Sequence, residues 1–371
     1  MSKTFTAISI LIGTIIGAGI LGIPYVVMKS GFGIGLFHII FIAIVMIITM
    51  LYLGEIALRT KTNHHLAGYA EKYLGKKGKI LMFLAFAFGV KAAVLAYLIG
   101  EGESLSFMFF NNLNYTLHFG IIFWVFLSAI SYYGLKALED GEEIGIVLIF
   151  IMVIAVTVLA WNKIDISNLT YNNYQNFFLP FGVVLFAFLG FTAIPEVERT
   201  LGKDKKLMKR TIISANVIVL IVYAIFAAVV LGYKGLGTPE LATLALGKPF
   251  VLLGMLTMST SYLALSIALI DCLRYDFHLS RFKAWIFTIT TPLVLFVTLG
   301  VLNLANFTKV LGIGGVVSGG IEVILILSMV KSAKKNGDVK PEYSIPYSKL
   351  LTMLLILIFI VGAVLEIMSA L

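Results

Sequence analysis

A six-residue phrase occurs twice in this chain, 171 residues apart, inside two different apolar stretches. Gly19-Ile20-Leu21-Gly22-Ile23-Pro24 recurs as Gly190-Phe191-Thr192-Ala193-Ile194-Pro195, a G-x-x-[G/A]-I-P pattern followed by Val26 or Val197. Glycine adds backbone entropy to a helix and proline removes a donor, so both are poor choices for a helix interior. In lipid the penalty grows, because a freed backbone group finds no water. Two membrane segments interrupted at matching positions are expected where the opened backbone lines a site, as in carriers built from internal repeats.

The membrane setting follows from composition. Apolar residues make up 60% of the 371-residue chain and charged residues 13%, with a mean hydropathy of +1.02, outside the soluble range. Eleven runs are long enough to span a bilayer: 5–28, 33–58, 80–110, 119–135, 143–161, 178–198, 211–232, 249–273, 284–302, 307–330 and 349–369. The gaps between them are short, which predicts a single transmembrane domain over 1–371. The first run is too long for a signal-peptide core and carries the repeated phrase, so it reads as a retained segment. Cys272 is the single cysteine, which excludes a disulfide framework or a cysteine metal site.

Charge asymmetry sets the expected orientation. With the N-terminus in the cytoplasm, 22 of the 28 Lys and Arg residues fall on inner loops, while the outer ends hold Lys29, Lys163, Lys234 and Lys248. The positive-inside rule favours that arrangement, and an odd number of spans then puts the C-terminus outside. The net charge of +9 is explained by this topology, and nothing else supports a nucleic-acid partner. Adding 171 to the first five spans predicts the next five in order, leaving the eleventh over. Because five is odd, the second set runs in the opposite sense. The expectation is an inverted repeat, 5–161 against 178–330, with an extra helix at 349–369. The loop 59–79, with Leu66, Ala67, Tyr69, Ala70, Tyr73 and Leu74 among charges, predicts a short amphipathic helix on the inner surface. Of the outer loops 162–176 and 233–248, the second is the favoured gating lid.

The stretch Gly13-Thr14-Ile15-Ile16-Gly17-Ala18-Gly19-Ile20-Leu21-Gly22-Ile23-Pro24 resembles the first-helix motif of the amino acid–polyamine–organocation superfamily. It is most similar to the hydroxy/aromatic amino acid permeases and the amino acid/auxin permeases. Phe186-Ala187-Phe188-Leu189-Gly190 before Ile194-Pro195 resembles their sixth helix, and Thr260-Ser261-Tyr262-Leu263, with Asp271 and Asp276 downstream, their eighth. The resemblance implies an all-α integral membrane protein of the leucine-transporter (LeuT) fold and secondary transport of amino acids.

Gly17-Ala18-Gly19 is the expected carboxylate site, since small residues admit a ligand to the backbone and the following half-helix presents free N–H groups. Close helix packing is the alternative for the same glycines. Segment 6 is expected to contribute Phe186, Ala187, Phe188 and Gly190, with open carbonyls for an ammonium and rings around an apolar side chain. The resemblance adds Tyr97 on segment 3 as a carboxylate contact. It also implies that Thr260 and Ser261 face the carbonyls of Gly13 and Ile16 and, with the carbonyl of Thr257, form an oxygen cage suited to sodium. Hydroxyls bonded to carbonyls one turn back are the alternative.

Lys91 stands about 11 residues into segment 3, roughly 16 Å deep at 1.5 Å per residue, where a lysine costs on the order of 3 kcal/mol. Glu322 on segment 10 shares that depth. The two are expected either to pair or to leave Lys91 as a titrating group that couples protons to transport. Glu55, Glu196, Glu198, Asp271 and Asp276 at inner helix ends are expected to pair with the basic loops. The overall expectation is an ion-coupled symporter of neutral amino acids, aromatic or aliphatic, in the cell membrane. Protons are favoured over sodium, and no cofactor is needed. A channel lacks the expected filter sequence or polar ring, and an intramembrane enzyme lacks paired catalytic residues at one depth.

Overall fold

The computed structural model describes residues 3–62, 64–133, 137–304 and 306–370, with backbone alone at 137–146, 148, 367, 369 and 370. Among the described residues, nine helical stretches are long and apolar enough to cross a membrane, and the bent first segment makes a tenth. The fifth expected span falls on α6 (Ala137–Ala160), which continues into a 3-10 turn Trp161–Lys163; the apolar stretch there is Ile149–Lys163. Residues 134–136, with Lys136 and the end of the fourth expected span, lie outside the described residues.

Both copies of the repeated phrase build the same local structure. The first segment runs as α1 (Lys3–Ile15), an extended Gly17 (φ −94°, ψ −159°), a 3-10 turn Ala18–Gly22 and α2 (Ile23–Ser30), with a bend of 47°. The sixth runs as α7 (Leu179–Ala187), a break through Gly190, a 3-10 turn Phe191–Ala193 and α8 (Ile194–Leu201). Pro24 and Pro195 each sit in the first turn of the restarted helix, where the missing N–H would be unpaired anyway.

The remaining elements hold these breaks between two groups of helices. Helices α3 (Phe32–Leu58) and α9 (Met208–Lys234) pack on each other, and α9 also packs on α1 and α2. The long α4 (Leu66–Phe110) packs on α5 (Thr116–Tyr133), α11 (Lys248–Tyr275) and α12 (Arg281–Val301). The tenth span is α13 (Phe307–Gly314), a π-helical turn Gly315–Gly319 and α14 (Gly320–Asn336), and it packs on both α4 and α7. α15 (Lys349–Ala370) lies against α7, α13 and α14. With lipid as apolar as leucine, such contacts gain from close packing and interhelical hydrogen bonds rather than from water exclusion. The fully buried Phe188, just after α7, packs on Tyr223 of α9 in this way.

The expected amphipathic helix is the first part of α4. Gly75, at φ 75° and ψ −171°, separates it from the membrane-crossing part, a backbone conformation that favours glycine. Its Leu66, Ala67, Tyr69, Ala70 and Tyr73 are buried, as the pattern predicts. At this lysine-rich end, Glu55 receives Arg59 at 2.8 Å, Lys334 at 2.6 Å, the Ser344 hydroxyl at 2.8 Å and the Ile345 N–H at 2.8 Å. A buried charge is tolerated when several donors compensate it. Glu198 pairs with Lys205 at 2.5 Å and Asp271 with Arg274 at 3.2 Å. Glu196 and Asp276 make no ion pair among the described residues and instead line a vestibule.

Candidate functional site

The two breaks face and touch each other. A Cβ on Gly19 would stand 2.9 Å from the Ala187 Cα, and a Cβ on Gly190 would run into the Ile15 side chain. Each glycine thus packs on the last helical residue of the other segment, a reciprocity of the kind that a two-fold axis between them produces. Beside the breaks lies a cavity of about 90 Å³, lined by Gly17, Gly19, Tyr97, Phe186, Ala187, Gly190, Ser318 and Glu322, with Phe86, Val90 and Ala93 on the α4 side. It shares Thr14, Phe86, Thr192 and Leu265 with a vestibule of about 340 Å³ at the lysine-rich end, where Glu196, Arg199, Asp271 and Asp276 form the wall.

At the opposite end the loop 233–248 folds into the short helix α10 (Ala242–Leu246), which packs on α11, α9, α2 and the first 3-10 turn. Its Glu240 carboxylate accepts from the Thr308 N–H at 3.3 Å and hydroxyl at 3.1 Å, at the start of α13. Burial holds this carboxyl above the usual carboxylate range, opposed by the two Thr308 donations. The loop 162–176 crosses the same end, with the Asn173 N–H bonded to the Ser30 carbonyl at 2.8 Å.

A second cavity of about 90 Å³ holds all five expected cage residues, Gly13, Ile16, Thr257, Thr260 and Ser261, with Tyr97 shared between the two cavities. The Thr260 hydroxyl donates to the Thr257 carbonyl at 3.0 Å, one of the bonds the local alternative foresaw. A Cβ on Gly17 would come to 3.6 Å from Ser261 Oγ and 3.7 Å from the Tyr97 hydroxyl, so these groups surround one spot. The set consists of neutral oxygens, which suits a monovalent cation better than a divalent one.

Three expectations need correction. Lys91 does not pair with Glu322: its Nζ donates to the Thr291 hydroxyl at 3.1 Å and lies 3.6 Å from the centre of the Phe287 ring, both on α12. Equal depth leaves the azimuth open. The cavity face of α4 is 86, 90, 93 and 97, and one residue is a turn of about 100° away. Phe188 does not wall the cavity: it is fully buried and packs edge-on against Tyr223 with ring centres 5.0 Å apart, whereas Phe186 lines the wall. Ala18 is fully buried in the first turn and does not line the wall either.

Tyr223 on α9 is a residue that the sequence reasoning missed. Its hydroxyl lies 2.7 Å from the Ala187 carbonyl and 3.1 Å from the Ile15 carbonyl, the last residues of both half-helices. Terminal carbonyls of helices lack intrahelical partners, and one phenol serves two of them here. The signal was present: Tyr223 is the one polar aromatic in the middle of span 211–232. Glu101, one turn beyond Tyr97, was likewise unassigned. It is fully buried and accepts from Ser259 at 3.2 Å.

Interrupted helices that meet beside a small cavity within a bundle of membrane-spanning helices define a multi-pass membrane carrier. The solved structure titled "Crystal structure of MhsT in complex with L-phenylalanine" superposes with a TM-score of 0.70 at 17% identity, covering 98% of each chain. The fold is therefore LeuT-like, five helices and five inverted helices plus an eleventh. The chain belongs to the tryptophan/tyrosine permease family, whose model matches residues 1–366. Among its relatives, "Tyrosine-specific transport system 1" of Haemophilus influenzae is 25% identical, covering 90% of this chain and 89% of its own. "Tryptophan-specific transport protein" of Pseudomonas aeruginosa is 22% identical, over 88% and 85%. "Glutamine transporter 2" of Aliivibrio fischeri is 22% identical over 90% of each chain. The protein is an amino acid transporter, not an enzyme.

Proposed function

We propose that this protein is an ion-coupled symporter that carries neutral, aromatic amino acids across the cell membrane by alternating access. One observation carries the reading: the reciprocal breaks meet beside a cavity whose ring-bearing wall is Phe86, Phe186 and Phe191. The amino acid carboxylate binds at Gly17, Gly19 and the Tyr97 hydroxyl. The ammonium binds beside Ala187 and Gly190, which line the cavity, and the side chain lies against Phe186. Relatives named for tyrosine and tryptophan support the aromatic choice. The N-terminus is cytoplasmic and the C-terminus outside, so the vestibule faces the cytoplasm and α10 with Glu240 closes the outer path. The interrupted segments 1 and 6, one from each of the repeats 5–161 and 178–330, rock against a scaffold of the other helices. Protons are the proposed coupling ion. Sodium is the second reading, favoured by the five cage residues sharing one cavity.

Counterflow in liposomes tests the transport reading, with labelled tyrosine or tryptophan outside and unlabelled substrate inside. Transient accumulation of label is the expected result. Label that merely equilibrates would identify a channel, and the absence of exchange for all twenty amino acids would overturn the proposal. Uptake driven by a sodium gradient but not by a pH gradient would replace the proton with sodium at the cage.

A further inference from the structure

We infer that Glu322 carries the coupling proton, one for each neutral amino acid moved. The inference rests on the symport reading above and deepens it. Glu322 stands in the first turn of α14, directly after the π-helical turn, and its side chain reaches the wall of the central cavity. It is 6% exposed. Among the described residues no hydrogen bond or ion pair reaches its carboxyl. Ser318, one turn earlier and on the same wall, is already engaged with the Gly314 carbonyl at 2.8 Å.

Tyr97 apart, the charged and titratable groups on the elements around α14 are turned elsewhere. On α4, Tyr97 shares the cavity wall, Lys91 is held by Thr291 and Phe287 of α12, and Lys79 pairs with Glu71. Glu101 on α4 faces Ser259. On α3, Glu55 and Arg59 belong to the network at the lysine-rich end, Tyr52 donates to the Pro346 carbonyl, and His38 bonds the Ile34 carbonyl beside Phe177. On α15, Glu366 lies against Gly182 and Gly312, toward the other end of the bundle. Lys334 of α14 itself is bound to Glu55, and Lys331 and Lys335 lie in its last turns.

Charge balance then decides what the cavity accepts. An isolated carboxylate buried away from water is strongly disfavoured unless something neutralises it. A neutral amino acid is a zwitterion and contributes no net charge. Substrate with an ionised Glu322 leaves one uncompensated negative charge in a closed cavity, whereas substrate with a proton on the carboxyl leaves none. Closure is therefore least costly with one proton and one amino acid together. When the cavity joins the wide vestibule, water hydrates the carboxylate and favours the ionised form, and the proton leaves on that side. The proton moves from bulk water on one side to bulk water on the other, and no bond within the substrate changes.

The test uses the full-length protein in liposomes with tyrosine as the probe. Glu322→Gln keeps the shape of the protonated carboxyl but cannot release a proton. It should lose accumulation driven by an imposed pH gradient and bind tyrosine with no pH dependence between about pH 5 and pH 8. Glu322→Asp keeps a titrating carboxyl and should restore some gradient-driven accumulation. Accumulation by Glu322→Gln at the wild-type level would overturn the inference. So would a monodisperse Glu322→Gln protein without binding or counterflow, which would make the carboxylate a partner of the substrate ammonium. If the glutamine variant does not fold, a pH dye inside wild-type liposomes decides: one proton per tyrosine is expected, and none overturns the inference. Absence of wild-type counterflow would sink the transport reading itself.

Discussion

Gly17 and Gly19 lie two residues apart in the first break, yet alanine should act differently at each. At Gly19 the new Cβ would stand 2.9 Å from the Ala187 Cα and 3.1 Å from its Cβ. Backbone cannot yield like the end of a flexible side chain, so the two broken segments must separate. Overpacking of this kind costs about 1–3 kcal/mol, and the reduced freedom of the unfolded chain returns about 0.4–1 kcal/mol. Gly19→Ala should therefore lose roughly 1–2 kcal/mol of stability. At Gly17 the new Cβ meets Ser261 Oγ at 3.6 Å and the Tyr97 hydroxyl at 3.7 Å, ordinary contact distances. The backbone there is extended, with φ −94°, which alanine adopts freely. Stability should be unchanged or slightly higher, but the methyl occupies the spot where the carboxylate is proposed to bind, in a cavity of about 90 Å³. Affinity should fall by about tenfold or more, equivalent to ~1.4 kcal/mol. Unfolding in detergent micelles reads the first effect and tyrosine binding the second. A stable Gly19→Ala protein together with wild-type affinity in Gly17→Ala would refute both the contact of the two breaks and the carboxylate site.

Three further outcomes are expected. Tyr223→Phe leaves the Ala187 carbonyl without the donor at 2.7 Å and should cost about 1–3 kcal/mol in unfolding measurements; an unchanged stability would mean that the carbonyl finds another donor. Phe186→Ala should change the ranking of substrates by about 1–3 kcal/mol in competition assays. Phe188→Ala, behind the break, should instead cost about 3–5 kcal/mol of stability and leave the ranking intact. Lys91→Met should preserve uptake driven by a pH gradient, since the ammonium faces Thr291 and Phe287; lost accumulation in a well-folded variant would return the lysine to the coupling machinery.

Much of the fold was legible in the linear chain because each relevant signal is local. Lipid demands runs of about 20 apolar residues for each helical span. Within two of those runs, the G-x-x-[G/A]-I-P phrase dictates its own geometry. The glycine opens the backbone, and proline restarts the helix, at Pro24 and at Pro195 alike. The amphipathic start of α4 was equally readable, since buried and exposed positions alternate at a helical period.

Depth was legible for Lys91 and Glu322, but direction was not. A side chain's azimuth depends on which neighbour its helix presents a face to, and α4 meets α5, α11, α12 and α14 at once. The same limit separated Phe186 from Phe188, two rings in one short stretch that the break sends to opposite sides. Composition and spacing thus determined by themselves that the chain spans the membrane and where its helices break. Which carboxyl shares the cavity and which phenol joins the two helix ends were decided by tertiary packing. Hydrogen bonds such as those from Tyr223 to Ile15 and Ala187 link residues 208 and 36 positions apart, and no local pattern records a partner at that distance.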